Sequence, residues 1–377
     1  MKVLHVNSYY CTNDIHRQFV VALKSEGVDQ KTIVPISGAQ VLQHGKALSS
    51  HIGVTAVEVR GGDWKYGWPV RIASAWSKLK AEWATDHPTD LVHSHTLITN
   101  GILAYLAHRK WGVPYVVTVR NSDVHTFVAR NRVFGELAKR ILLKAAGVVF
   151  LSPGYVGHLE ECLGANPSVR AKIAGAEILP NGLEMDWIHD RPSTARKAKG
   201  AREPLSVLFV GRVNRNKNVR GVLQACRVLI DDGEAVRLNI VGDGPLIDVL
   251  KKDFSHSWIR WHGRVNDRRR LKSLYRRADV VAVPSFTESF GMVYLEALSQ
   301  GAAIIYSKGE GFDGYVRDGA VGFAVDPQSP TAIATALRAT RRCVVSLSEA
   351  ALGVAPDFGW DEVAGKWAEF YRSILQG

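Results

Sequence analysis

Two carboxylates, Glu288 and Glu296, stand eight residues apart in the run SFTESFGMVYLEALSQG. The apolar stretch 280–284 just before them reads as a strand, which puts Glu288 in a strand-to-helix loop, Gly291 at the turn and Glu296 on the helix. Backbone N–H groups at Phe290, Gly291 and Met292 would lack intrahelical partners there and face an anion, while the carboxylates can accept hydrogen bonds from hydroxyls. A second cluster lies upstream in LSVLFVGRVNRNKNVRGVLQA. It reads as a strand, then Gly211, where backbone can approach a ligand, then Arg212 and Lys217 on a loop into a helix. Two cations and a helix start make a phosphate site. Acidic residues near a helix start also complement its dipole, and basic loops are commonly just solvated. The pair of carboxylates beside a phosphate site favours a ligand, and a sugar diphosphate suits both halves.

These loops need strands to hold them. Short β-branched runs at 3–6, 32–34, 54–59, 91–93, 115–119 and 148–151, then at 206–210, 238–241, 280–283 and 302–306, alternate with helix-length amphipathic segments. That rhythm predicts parallel sheets with helices on both faces. Residues 186–204 (DWIHDRPSTARKAKGAREP) break it with basic clusters, two prolines and no apolar period, and read as an interdomain linker. The expected organisation is α/β: two doubly wound Rossmann-like domains, 1–185 with 360–377 and 205–359, each offering the carboxyl ends of its strands to a central cleft. Val363, Trp367, Phe370 and Tyr371 fall at helical spacing, so 361–375 is a last amphipathic helix.

Composition removes other classes. With 377 residues, 46% hydrophobic and 22% charged, the chain is of ordinary globular make-up at two-domain length, which excludes collagen, disorder and a disulfide miniprotein. Cys11, Cys162, Cys226 and Cys343 are scattered without a Cys-x-x-Cys pair, which suggests a reducing compartment and no zinc site. The N-terminal residues lack a signal-peptide pattern and no run approaches a spanning helix, so a cytoplasmic protein is expected. A surplus of 48 Lys+Arg over 36 Asp+Glu, +12 in all, suits phosphates.

The constellation GRVNRNKN (211–218), VGDGP (241–245), WHGRV (261–265), Glu288-x7-Glu296 and DGAVGFAVDP (318–327) resembles the family 4 glycosyltransferases, which have the GT-B fold. The resemblance implies retaining transfer of a hexose-type sugar from a nucleotide-diphosphate sugar, UDP- or GDP-linked. The acceptor would be a polysaccharide, glycolipid or small molecule in cell-envelope or exopolysaccharide assembly. It implies Arg212 and Lys217 on the diphosphate, Glu288 on the donor sugar and Glu296 on the ribose. Backbone at Phe290, Gly291 and Met292 would hold sugar and phosphates, backbone at Arg264 and Val265 the base, and the C-terminal helix would cross back to the first domain.

The first domain departs from the family in two places. Many members have a Gly-Gly loop after the first strand; this chain has NSYYCTNDIHRQF, so Tyr9 and Tyr10 approach the cleft with side chains attached. Many have a His after a later strand; VVTVRNSDVH puts Arg120 there, with Asn121, Ser122 and Asp123 behind. Arg is too basic to act as a proton acceptor but can bind a phosphate or carboxylate. His93 and His95 project to one face of a strand end, and His95 is expected to touch the acceptor. Glu288, Arg120 and His95 are thus the catalytic candidates, and Tyr9, Tyr10, His95, Asn121 and Asp123 the acceptor-side ones. No Asp-x-Asp pair exists, so the usual carboxylates for a diphosphate-bound metal are missing and metal-free chemistry without a cofactor is expected.

Rival readings rest on single motifs. Residues 309–314 spell GxGxxG, but a dinucleotide site needs a full helix next and an acidic residue about 20 positions on, whereas here YVR runs straight into the Asp318-Gly319 turn. The basic run 260–277 could bind nucleic acid, yet Leu271, Leu274 and Tyr275 fall on one helix face and leave the arginines to solvent, so no nucleic acid is expected. A non-catalytic basic α/β protein and a GT-B nucleotide-sugar epimerase are the remaining alternatives. In 131–145, Val133, Phe134, Leu137, Ile141 and Leu142 alternate with Arg132, Lys139, Arg140 and Lys144, downstream of Trp64, Trp68, Trp76 and Trp83. That pattern fits either a core-facing stripe or a peripheral contact with the anionic inner face of a membrane, where a lipid-linked acceptor would lie.

Overall fold

The computed structural model describes residues 1–377 except 12, 13, 41, 42, 44–47, 49, 50, 52, 61–63, 86–88, 199 and 201. The chain divides into two compact units. Unit 1 comprises Met1–Leu151, Tyr155–Gly182 and Val363–Gly377; unit 2 comprises Ser152–Gly154 and Leu183–Glu362.

Unit 1 is built on β1 (Lys2–Val6), β2 (Asp29–Ile36), β3 (Val54–Glu58), β4 (Leu91–Ser94), β5 (Tyr115–Val119), β6 (Gly147–Phe150) and β7 (Glu177–Ile178), in the order β3-β2-β1-β4-β5-β6-β7. Unit 2 holds β8 (Leu205–Val210), β9 (Val236–Val241), β10 (Ile259–Gly263), β11 (Val280–Ala282), β12 (Ala303–Ser307) and β13 (Gly322–Val325), in the order β10-β9-β8-β11-β12-β13. All pairings are parallel. Strand order reverses between β1 and β4 in one unit and between β8 and β11 in the other. In an open α/β sheet such a reversal leaves a crevice at the carboxyl ends of the strands. The loops singled out in the sequence follow those four strands or lie next to them.

Each unit has its own apolar core, with strands such as β5 and β11 wholly buried between helices. The helix Arg132–Lys144 resolves its two readings in favour of the core for Phe134, Ile141 and Leu142, which are buried, whereas Val133 is 58% and Leu143 43% exposed. Trp83 stacks on Trp111, Trp76 lies against the same ring and Trp68 meets Phe134. The Trp64 side chain lies outside the described residues.

The described residues of 186–204, expected as a linker, fall within unit 2. Trp187 and Ile188 enter its core. Lys272 Nζ reaches Asp186 Oδ2 at 2.8 Å and Asp190 Oδ2 at 3.2 Å, and the Arg196 guanidinium binds the carbonyls of Tyr275, at 2.9 Å, and Gly301. Ion pairs and carbonyl contacts tie the segment down, so it needs no apolar period. The last helix, Trp360–Gln376, belongs from Val363 onward to unit 1. Its buried Trp367 stacks on His93, with ring centroids 4.9 Å apart, and Tyr371 OH lies 2.7 Å from His93 Nδ1.

Candidate active site

In unit 2 two loops meet at the reversal point. After β8 the chain turns at Gly211, whose N–H donates to Val241 O at 3.0 Å. A Cβ on Gly242, at φ +134°, would lie 1.8 Å from Gly211 O, so these strand ends touch through bare backbone. The loop closes at Asn218, the one described non-glycine residue with positive φ, whose side chain caps the next helix by accepting from Gly221 N–H. Asparagine tolerates that conformation better than most side chains.

Asn216 fastens this loop to the one after β11. Its Nδ2 donates to Thr287 O at 2.9 Å, and its Oδ1 accepts from Thr287 N at 3.1 Å and Oγ1 at 2.9 Å. Lys217 Nζ then meets the buried Glu288 at Oε2, 2.5 Å away, and Ser285 Oγ donates to the same oxygen at 3.2 Å. Gly311, at φ +52°, leaves room for this carboxylate: a Cβ there would come within 2.7 Å of Glu288 Cγ. Gly291, at φ +89°, opens the helix Met292–Ser299. Phe290 is buried against Tyr315, so this position offers a ligand backbone rather than its ring.

Glu296 is placed separately. Tyr275 OH donates to its Oε2 at 2.6 Å, and burial pushes its pKa up to about 7 against the pull of that hydrogen bond and of Arg268. Arg212 and Arg264 are exposed, the latter with Nε on Asn266 Oδ1 at 3.0 Å. Val265 packs on the core just beyond β10.

In unit 1 the residues after β1 and β4 form a polar layer. Asn7 Oδ1 accepts from Tyr9 N–H at 3.0 Å, Asn100 Oδ1 from Ser8 N–H at 3.3 Å, and Tyr9 OH donates to Ser122 Oγ at 3.4 Å. Ser122–Val128 forms a π-helical turn, a geometry often found at functional sites. Arg120 donates through Nε to His95 O at 2.8 Å, and its Nη nitrogens have no hydrogen-bond partner among the described residues. Asn121 Nδ2 donates to Tyr155 OH at 3.2 Å. Burial draws the Arg120 pKa down to about 10, opposed by Asp123 and Tyr9.

Three expected acceptor contacts sit behind this surface rather than on it. Tyr10 is 5% exposed and packs with Val34, Ile36 and Leu48. Asp123 is fully buried, its oxygens accepting from Ile98 N–H and Arg120 N–H at 3.0 Å each, and burial pushes its pKa up to about 6 despite those donors. His95, 3% exposed, stacks on His93 at 4.0 Å and meets His5 Nδ1 through Nε2 at 3.0 Å. Side chains adjacent to a strand end split between the loop surface and the core, and these three take the core side.

Burial holds His5 at about 3, and it holds His16, His93 and His95 well below the ordinary histidine range. His5, His93 and His95 bring ligand-type nitrogens within 4.8 Å of one another. Both ring nitrogens of His93 are already engaged, by Thr118 at 2.8 Å and Tyr371 at 2.7 Å, and the group contains no carboxylate. This is a packed layer of neutral imidazoles, with each His93 nitrogen answered by a hydroxyl.

The sequence matches the family described as "Glycosyl transferases group 1" over residues 190–341 and the "Glycosyl transferase 4-like domain" over 15–174. It is 30% identical over 310 residues to a D-inositol 3-phosphate glycosyltransferase of Nocardia farcinica, covering 76% of this chain and 67% of that protein. The chain belongs to the family 4 glycosyltransferases. The Streptomyces scabiei protein of the same name is 29% identical over 338 residues, 81% of this chain and 73% of that one. Among solved structures, Anabaena Alr3699/HepE in complex with UDP superposes with a TM-score of 0.73 at 16% identity, covering 99% of this chain and 100% of that one. The lipopolysaccharide outer core galactosyltransferase WaaB gives 0.72 at 16% identity, with the same two coverages. The fold of this glycosyltransferase is therefore GT-B.

Sequence reasoning overlooked Glu310, which is 8% exposed and accepts from Glu288 N–H through Oε2 at 2.9 Å. Its signal was the GxGxxG-like run, which is a tight turn after β12 whose Gly309 N–H is held by Asp313 Oδ2 at 2.7 Å. Asn216 was also missed, since nothing local in a sequence pairs two loops separated by 71 residues, and so was Ser285, which holds Glu288 from three residues away. Together these groups hold one carboxylate and one ammonium at the strand ends, beside the helix-start N–H groups of 290–292, which have no hydrogen-bond acceptor among the described residues. That arrangement can grip sugar hydroxyls and stabilise a departing phosphate.

Proposed function

We propose that this glycosyltransferase is a retaining, metal-independent hexosyltransferase using a UDP- or GDP-sugar. The observation that carries the reading is the Lys217–Glu288 pair at the reversal point of the unit 2 sheet, beside Arg212 and the N–H groups of 290–292. Lys217 and Arg212 take the diphosphate, Glu288 the donor sugar hydroxyls, Glu296 the ribose, and backbone at 264–265 the base. As the C1–oxygen bond breaks, negative charge grows on the leaving phosphate, where fixed cations and amides lower its energy. The acceptor hydroxyl forms the new bond on the same face and passes its proton to that phosphate oxygen. Structures in complex with UDP and with UDP-glucose among the GT-B neighbours support a uridine donor.

Unit 1 takes the acceptor. The Nη nitrogens of Arg120 suit an anionic saccharide, lipid-linked sugar or phosphorylated polyol, in keeping with the inositol 3-phosphate in the relatives' names. The enzyme works in the cytoplasm, and the exposed Val133 and Leu143 on a basic helix support a peripheral contact with anionic lipid. The test is a screen of UDP- and GDP-hexoses for thermal stabilisation, followed by transfer to anionic and neutral acceptors with and without EDTA. Stabilisation by one nucleotide family, an α-configured product from an α-donor and full activity in EDTA are expected. An inverted product, or activity lost in EDTA and restored by magnesium, overturns the mechanism.

A further inference from the structure

The basic run 260–277 has little part in the donor reading, and the structure gathers much of it on one open face of unit 2. Strand register sets Ser206 beside Arg237 and Asn239 beside Arg260, with His262 two residues further along β10. The alternate residues Val207, Leu238 and Ile240 are buried on the opposite face. Parallel sheets are ordinarily covered on both faces, so a polar, uncovered edge is a departure. The helix Arg268–Arg277 borders it with Arg270, Ser273 and Arg277, leaving a groove of about 810 Å³.

Four guanidinium groups, those of Arg237, Arg260, Arg270 and Arg277, line this groove, with Glu203 as the carboxylate of the lining among the described residues. All four are exposed, and none has an ion-pair partner among the described residues. Other surface arginines of unit 2 do: Arg220 with Asp253, Arg227 with Asp231, Arg276 with Asp190 and Arg338 with Asp232. The uncompensated field reaches His262, held below the ordinary histidine range by burial and then by Arg260 and Arg270.

We propose that this groove binds a stretch of acidic polysaccharide, a pyranose chain carrying carboxylates. Guanidinium forks match carboxylates two bonds at a time, and the Ser, Asn and His side chains between them match ring hydroxyls. A nucleic acid would need aromatic platforms for its bases, whereas the single tryptophan of the lining, Trp258, already stacks on His256 at 10°. A concave, polar-rimmed groove does not fit a flat bilayer. None of these side chains is assigned to the donor, so the groove would be a carbohydrate subsite separate from the donor loops.

Calorimetry of the full chain with a short oligogalacturonate tests this, with a neutral maltooligosaccharide, a single-stranded oligonucleotide of equal charge and phosphatidylglycerol vesicles in parallel and UDP binding measured on the same samples. Oligogalacturonate should bind and raise the His262 pKa seen by NMR. Arg260→Ala/Arg277→Ala should weaken it by about tenfold or more, the scale of one charged hydrogen bond. The double Lys variant should recover only part, and UDP affinity should not move. Unchanged oligogalacturonate affinity in the Ala pair, equal arginine-dependent binding of the oligonucleotide or vesicles, or no oligogalacturonate binding by a chain that still binds UDP would each overturn the proposal.

Discussion

Lowering the pH from 7 to 5 should destabilise unit 1 far more than an ordinary domain, because four buried imidazoles refuse protons that the unfolded chain accepts. His5 titrates at about 3, and His16, His93 and His95 also lie well below the usual value. Unfolded histidine titrates near about 6.5, so His5 alone contributes about 2 kcal/mol of lost stability between pH 7 and 5, and His16, His93 and His95 add losses of the same sign. Asp123 works the other way: its native pKa of about 6 lies above the unfolded value, so it regains about 1.4 kcal/mol over the same range. With three further histidines acting in the same direction the balance is a net loss, set against a typical whole-domain stability of about 5 to 15 kcal/mol. Unit 2 supplies an internal control of opposite sign, since Glu296 at about 7 takes up its proton in the native state first and stabilises that unit as pH falls. Urea unfolding at pH 7, 6 and 5 with hydrogen-exchange mass spectrometry, read on peptides of β1 and β4 against those of β8 and β11, resolves the units. A loss in unit 1 smaller than one histidine's share, about 2 kcal/mol, would refute the reasoning.

Lys217→Ala and Arg212→Ala should each weaken nucleotide-diphosphate binding by about 1.5 to 3 kcal/mol, measured by calorimetry, and unchanged affinity in both would remove the phosphate from this loop. Gly242→Ala places a Cβ 1.8 Å from Gly211 O at a φ of +134°, so it should cost at least about 1 to 3 kcal/mol in unfolding free energy and loosen UDP binding with it. Arg120→Ala should lower transfer sharply at constant UDP affinity, with Arg120→Lys rescuing little because the fork is lost; a variant with a lower melting temperature but full turnover per folded molecule would confine Arg120 to its bond with His95 O.

The periodicity of apolar residues was enough to read two doubly wound domains, because a parallel strand buried on both faces must be almost wholly apolar, as in the β11 run Val280–Ala282. The strands it missed all lie at sheet edges and escape that demand: β7 has two residues, β10, IRWHG, carries Arg260 on an open face, and β13, GFAV, has four residues. Glycine, arginine and carboxylate spacing likewise marked the loops after β8 and β11, since backbone approach and phosphate binding need particular residue types at particular places. Local sequence could not say which polar side chains near strand ends turn inward. Tyr10, His95 and Asp123 read as surface contacts but lie behind it, and Glu310 read as part of a failed nucleotide motif but holds the Glu288 backbone. Nor could it say that Asp186 and Asp190 would be held by Lys272 and Arg196 by the Tyr275 carbonyl, or that Tyr371 would come to His93 from 278 residues away. Element type follows from burial and periodicity over neighbouring residues. The partner of a buried polar atom depends on which distant segments the fold brings beside it, and only the tertiary structure decides that.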